Sequence, residues 1–165
     1  MRKLKTSVLT AVVIFTILSS ATSDRQGLVE GTKPGDLAPR MKSLENEFDF
    51  QFQNKAGRYT LLSFWATYDA ESRLRNVQIW NSIERMDSDK IQMISVSLDP
   101  NEMIFNETVK IDNISQAKAF HASSAVKTEI IKRYQLRKRF TNFLIDDQGV
   151  IVASNITPQH LIALN

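Results

Sequence analysis

The sequence of 165 residues contains no cysteine. That absence removes disulfides, thiolate metal sites, thiol nucleophiles and lipid attachment through a cysteine. Glycine and proline are scarce as well, at five and four residues. Gly27, Gly31, Pro34, Gly35 and Pro39 gather in residues 24–42, a polar stretch that reads as an extended lead-in without its own core. Acids are missing from residues 1–23, which hold Arg2, Lys3 and Lys5. The formal charge of +3 therefore belongs to that terminus, and the rest of the chain carries acids and bases in equal number. A neutral body lacks the clustered cationic face that nucleic acid requires, so no nucleic-acid partner is expected. The apolar run from Val8 to Leu18 falls short of the roughly 20 residues that cross a bilayer.

What is present at the N-terminus has the three parts of a secretory signal. Met1 to Lys5 is positive, Val8 to Leu18 is apolar, and Ser19-Ser-Ala21 or Ala21-Thr-Ser23 offers small residues for cleavage. Residues 1–23 are read as a signal peptide, residues 24–42 as the lead-in and residues 43–165 as the folded domain. A periplasmic or secreted location follows, with membrane contact only through the signal segment if it stays uncleaved.

The stretch from Arg58 to Arg73 organises the domain. Tyr59 to Trp65 is an apolar and aromatic run with the length of a buried strand. It turns through Ala66-Thr-Tyr68 into a helix predicted from Ala70 to about Met86, with Leu74, Val77, Trp80 or Asn81, Ile83 and Met86 on its apolar stripe. Before it, Phe48 to Gln53 alternates as a half-buried edge strand, and Asn54 to Gly57 makes a turn. After it, Ile91 to Leu98 is a second buried strand. Asp99-Pro100 reads as cap and first position of a helix reaching about Lys110. Residues 111–123 read mostly as loop, and Ser124 to Tyr134 as a helix with Val126, Ile130, Ile131 and Tyr134 on one stripe. Thr141 to Asp146 and Val150 to Ser154 form a hairpin around Asp147-Gln-Gly149, and Thr157-Pro158 starts a last short helix. Crossover helices between strands imply an α/β fold: a central mixed β-sheet, parallel in its middle, with an antiparallel edge and helices on both faces.

Phe64-Trp-Ala-Thr67, Arg73 and Phe143-Leu-Ile-Asp-Asp-Gln-Gly-Val-Ile151 resemble the TlpA/ResA-type thioredoxin-like proteins of bacterial envelopes. The lead-in Gly31-Thr-Lys-Pro-Gly-Asp-Leu-Ala-Pro39 is similar to that family's as well, and the likeness runs over roughly residues 31–160. It implies a thioredoxin-like fold. The family motif reads Trp-Ala-Thr-Trp-Cys-x-Pro-Cys-Arg-x-Glu-x-Pro. Matched to it, the two cysteine positions are Asp69 and Ser72, the proline between them is Glu71, the following acid is Arg75 and the helix proline is Val77. The position of the family's cis-proline is Phe140, where a trans bond is expected because a non-proline cis bond costs about 3 kcal/mol.

Thiol–disulfide exchange needs a thiolate to attack and a thiol to resolve, and neither carboxylate nor hydroxyl replaces them. The family's activity is thereby excluded by composition. Asp69, Glu71 and Ser72 leave two readings: a non-thiol carboxylate site, with His121 near enough to share a cation, or a set of groups that satisfy a helix start. The second is favoured, because a helix N-terminus lowers carboxyl pKa values, the wrong direction for a general acid. His121 and His160 are the only histidines and read as surface or core residues, not ligands. A Ser72-based triad lacks the nucleophile-elbow glycines. No metal or cofactor is expected.

The resemblance places Tyr68 and Phe140 on the substrate groove. There they either present an aromatic patch for protein contact or pack on each other and close it. Arg137-Lys-Arg139 is a solvated basic loop or a means of steering an acidic partner. The triplets Asn106-Glu-Thr, Asn113-Ile-Ser and Asn155-Ile-Thr are read as chance glycosylation matches. The expected partner is an envelope protein or peptide bound through Tyr68, Asp69, Glu71 and Phe140. The readings set against it are a non-thiol enzyme using Asp69 and Glu71, and a thiol–disulfide oxidoreductase in family descent alone.

Overall fold

Seven residues, Tyr59–Trp65, six of them buried, form strand β1 at the centre of the sheet. The computed structural model describes residues 27–40, 56–86 and 89–162. The signal segment, the Phe48–Gln53 strand and the start of the Asn54 turn lie outside the described residues. Elements then follow as α1 (Ala70–Glu84), β2 (Ile91–Ser97), α2 (Glu102–Ile111), a 3₁₀ turn at Gln116–Lys118, β3 (Ala119–His121), α3 (Ser124–Arg133), β4 (Asn142–Ile145), β5 (Ile151–Ser154) and α4 (Pro158–Ile162).

The five strands are ordered β3-β2-β1-β4-β5. β1 runs parallel to β2, with Tyr59 opposite Ile91 and Trp65 opposite Ser97, and antiparallel to β4, with Leu62 opposite Phe143. β3 is parallel to β2 and β5 antiparallel to β4, so the sheet is mixed, as the crossover pattern requires. Both faces are covered, which is why β1 is buried at consecutive positions rather than at alternate ones. One face seats Leu61, Trp65, Met93 and Leu144 against Ile79, Trp80 and Ile83 of α1, Phe105 and Val109 of α2 and Leu161 of α4. The other seats Leu62, Phe64, Val96, Phe143 and Ile151 against Ile130, Tyr134, Leu136 and Ala38.

The hairpin forms where the turn residues require it. Asp146 Oδ1 accepts from the backbone N–H of Gln148 and of Val150, each at 2.9 Å, and Gly149 takes φ +84°. A β-branched side chain would be strained in that left-handed region. The described part of the lead-in, residues 27–40, docks on this hairpin. Gly35 N donates to Ile151 O at 2.8 Å, Ile151 N to Asp36 O at 2.9 Å and Ala38 N to Gly149 O at 2.9 Å. A Cβ on Gly31 would stand 2.3 Å from Asp36 Oδ2, so the Asp36 side chain would have to shift to admit one.

Three expectations are corrected. Asp99 does not cap α2: Asn101 does, its side chain accepting from Met103 N at 2.8 Å, and the helix begins at Glu102. The apolar stripe of α1 omits Leu74, which is exposed. The buried positions are Ser72, Asn76, Ile79, Trp80 and Ile83, because in the first two turns Ser72 and Asn76 turn inward to meet Ala66 N and Ser95 Oγ. Residues 119–121, read as loop, form strand β3 beside β2. Three residues are too few to show a period.

Candidate functional site

The site is built at the carboxyl end of β1, where the strand hands over to α1. Asp99, at 2% exposure, pins the turn between them. Its carboxylate accepts from Thr67 N at 2.9 and 3.1 Å, from Thr67 Oγ1 at 2.9 Å and from Ser97 Oγ at 2.7 Å. Thr67 Oγ1 also lies 3.2 Å from Thr108 Oγ1. A buried carboxylate is tolerable only with such saturation of its lone pairs.

Asp69 is the N-cap of α1, its Oδ1 accepting from Ser72 N at 2.8 Å. Ser72 Oγ donates back to Asp69 O at 3.1 Å and accepts from Ala66 N at 3.4 Å. The two positions that the resemblance matches to cysteines thus form a closed cap whose hydroxyl is buried. Glu71 points elsewhere and pairs with Arg75 one turn on. Arg75 also donates to Phe140 O at 3.3 Å, tying α1 to the segment before β4. Arg73 makes a bidentate pair with Asp112 at the end of α2, at 2.8 and 2.7 Å. Hydrogen bonding from Asp112 holds the Arg73 guanidinium above its ordinary pKa, against a smaller lowering from burial.

Tyr68 and Phe140 meet edge to face, with ring centroids 6.1 Å apart at 66°. They do pack on each other, yet Tyr68 keeps 65% of its surface exposed and the groove beside them stays open. The rings are in contact without closing the groove. Burial of the inner edge of Tyr68, then the Asp99 and Asp69 carboxylates, push its hydroxyl above the usual tyrosine range. The groove has a volume of about 440 Å³. Ile131 and Leu136 form its floor, Tyr68 and Phe140 one wall, and Arg137, Lys138 and Arg139 the rim. The Arg139–Phe140 peptide bond is trans, like every other among the described residues.

The histidines do not join this site. His121 Nε2 lies 2.9 Å from Asp99 O and its ring sits 5.6 Å from Phe105. His160 Nδ1 is 3.2 Å from Thr157 N at the start of α4. The cation site weighed from Asp69 and His121 is not assembled. Among the described residues no three His, Asp or Glu side chains converge to hold a metal. Asp99 and Arg75, which position the site, went unrecognised in these roles in the sequence. Asp99 beside Pro100 carries the same local signature as a helix cap, and the partner of Arg75 lies 65 residues away.

No family model matches the chain. The sporulation thiol-disulfide oxidoreductase A of Bacillus subtilis is 26% identical over 121 residues, which are 72% of this chain and 70% of that protein. A thioredoxin-like protein from Parabacteroides distasonis, known from its crystal structure, is 52% identical with a TM-score of 0.75, over 83% of this chain and 97% of that one. The chain belongs to the thioredoxin-like proteins. The thioredoxin domain of a thiol-disulfide oxidoreductase from Bacteroides vulgatus shares the fold at 17% identity, with a TM-score of 0.68 over 81% of this chain and 97% of that one. The chain itself holds none of the cysteines that thiol exchange requires.

Proposed function

We propose that this thioredoxin-like chain is a redox-inactive module of the cell envelope that binds an extended protein or peptide segment at its former active-site face. The observation that carries the reading is a contrast within one site. The cysteine positions are closed into the Asp69–Ser72 cap, while the aromatic-walled groove beside them remains open. A groove with an exposed aromatic wall and an apolar floor gains most from burying a side chain between them. The carboxylate-enzyme reading has less to support it, since Asp69 caps a helix and Glu71 is paired with Arg75.

A fluorescent array of extended peptides tests the role. Binding by the intact protein that is lost in Tyr68→Ala and kept in Asp69→Ala supports a peptide module. Binding that survives in Tyr68→Ala, or a hydrolytic turnover abolished by Asp69→Ala, overturns it. Export is tested separately. A mature N-terminus shortly after Ala21 or Ser23, read by mass spectrometry of protein recovered from its own host, is the expected result.

A further inference from the structure

The rim of the groove is more distinctive than its floor. Arg137, Lys138 and Arg139 are all exposed and follow one another at the mouth. Arg139 donates to Asn155 Oδ1 at 3.1 Å. No ion pair joins any of the three to an acid among the described residues. The one carboxylate that lines the same groove, Asp69, already accepts from Ser72 N. Three cations therefore stand over an apolar floor against a single committed anion.

We propose that this groove selects an acidic extended peptide, with an apolar or aromatic side chain flanked by aspartate or glutamate. The proposal rests on the peptide-binding reading above and deepens it. The apolar side chain would lie between the Tyr68–Phe140 wall and the Ile131–Leu136 floor, and the flanking carboxylates would meet the rim. Charge at a rim acts chiefly by steering and by rejecting like-charged competitors, which makes it a source of selectivity rather than of raw affinity. A basic peptide faces uncompensated repulsion there. A phosphate polymer is disfavoured because the basic run is confined to one short loop on an otherwise neutral body.

The test uses the full-length protein and three fluorescein-labelled peptides, Glu-Glu-Phe-Glu-Glu and its Gln and Lys counterparts, read by fluorescence anisotropy. At about 0.01 M ionic strength the Glu peptide should bind at least about tenfold tighter than the Gln peptide, and the preference should vanish near about 1 M. The double variant Arg137→Glu with Lys138→Glu, both exposed positions, should turn the preference toward the Lys peptide with an unchanged circular dichroism spectrum. Tyr68→Ala should weaken all three peptides alike. Equal binding of Glu and Gln peptides overturns acid selection; if that binding still depends on Tyr68, the broader peptide role stands. Binding of none of the three overturns both. An oligo-deoxythymidine that binds more tightly than the Glu peptide also overturns the proposal.

Discussion

Asp69 occupies a position that the resemblance matches to a cysteine, and its carboxylate serves the backbone of α1. Removing it in Asp69→Ala should lower stability by about 1 kcal/mol, the ordinary worth of an N-cap, measured by urea denaturation. Peptide binding should persist. Tyr134 makes a different case. Its hydroxyl is buried and donates to Pro39 O at 2.6 Å. Burial, then the Glu30 charge, hold its pKa far above the usual tyrosine value, against a smaller lowering by Arg133. The folded state keeps a proton that the unfolded chain releases near pH 10, so stability is complete below that pH and falls as pH rises beyond it. Tyr134→Phe should flatten this alkaline limb of the stability profile and cost about 1 kcal/mol at neutral pH through the lost hydrogen bond. At this scale the sequence was half legible. Asp69 reads as a cap because its partner is three residues on, whereas the tie from Asp99 to Thr67 spans 32 residues and leaves no local trace.

Helix α1 shows how an element can betray its own periodicity. Counting apolar residues places Leu74 inside, yet the buried face runs through Ser72, Asn76, Ile79, Trp80 and Ile83. The inward polar residues answer other polar groups. Asn76 Oδ1 accepts from Ser95 Oγ at 3.1 Å, and that oxygen accepts from Trp65 Nε1 at 2.8 Å. The remaining donor of Asn76, Nδ2, is buried without a hydrogen-bond partner. Leu74→Ala should change stability by no more than about 0.5 kcal/mol, while Ile79→Ala should cost about 2–5 kcal/mol, both by chemical denaturation. Strong elements such as β1 and the Asp146–Gly149 hairpin declare themselves in sequence, because burial on two faces or a demanding turn dictates residue type. β3 does not, since it is a strand only through its pairing with β2.

Across the whole molecule, scaffold and chemistry separate cleanly. Among the described residues the order β3-β2-β1-β4-β5, with helices on both faces, stands in a chain that has no cysteine. The scaffold should therefore accept sulfur again. In Asp69→Cys with Ser72→Cys, the thiol at the N-terminus of α1 should titrate below the free-cysteine value of about 8.5, seen by thiolate absorbance, and the pair should oxidise reversibly. A thiol with an ordinary pKa would mean that the helix end no longer favours an anion. The fold class was legible in the alternation of strands and helices. The groove was legible in part: the resemblance pointed to Tyr68 and Phe140, but the floor of Ile131 and Leu136 is set only where residues 131–140 meet the turn at 68–69 in the tertiary structure.

The docking of the lead-in on the hairpin reaches beyond the site. By satisfying the outward backbone groups of Ile151, it leaves β5 no free template at that point of the sheet border. A shortened chain starting after Pro39 should keep its groove but recruit strands from its neighbours, and light scattering would register the resulting oligomers. The small N-terminal clasp would then be what shields this edge of the sheet from further strand pairing.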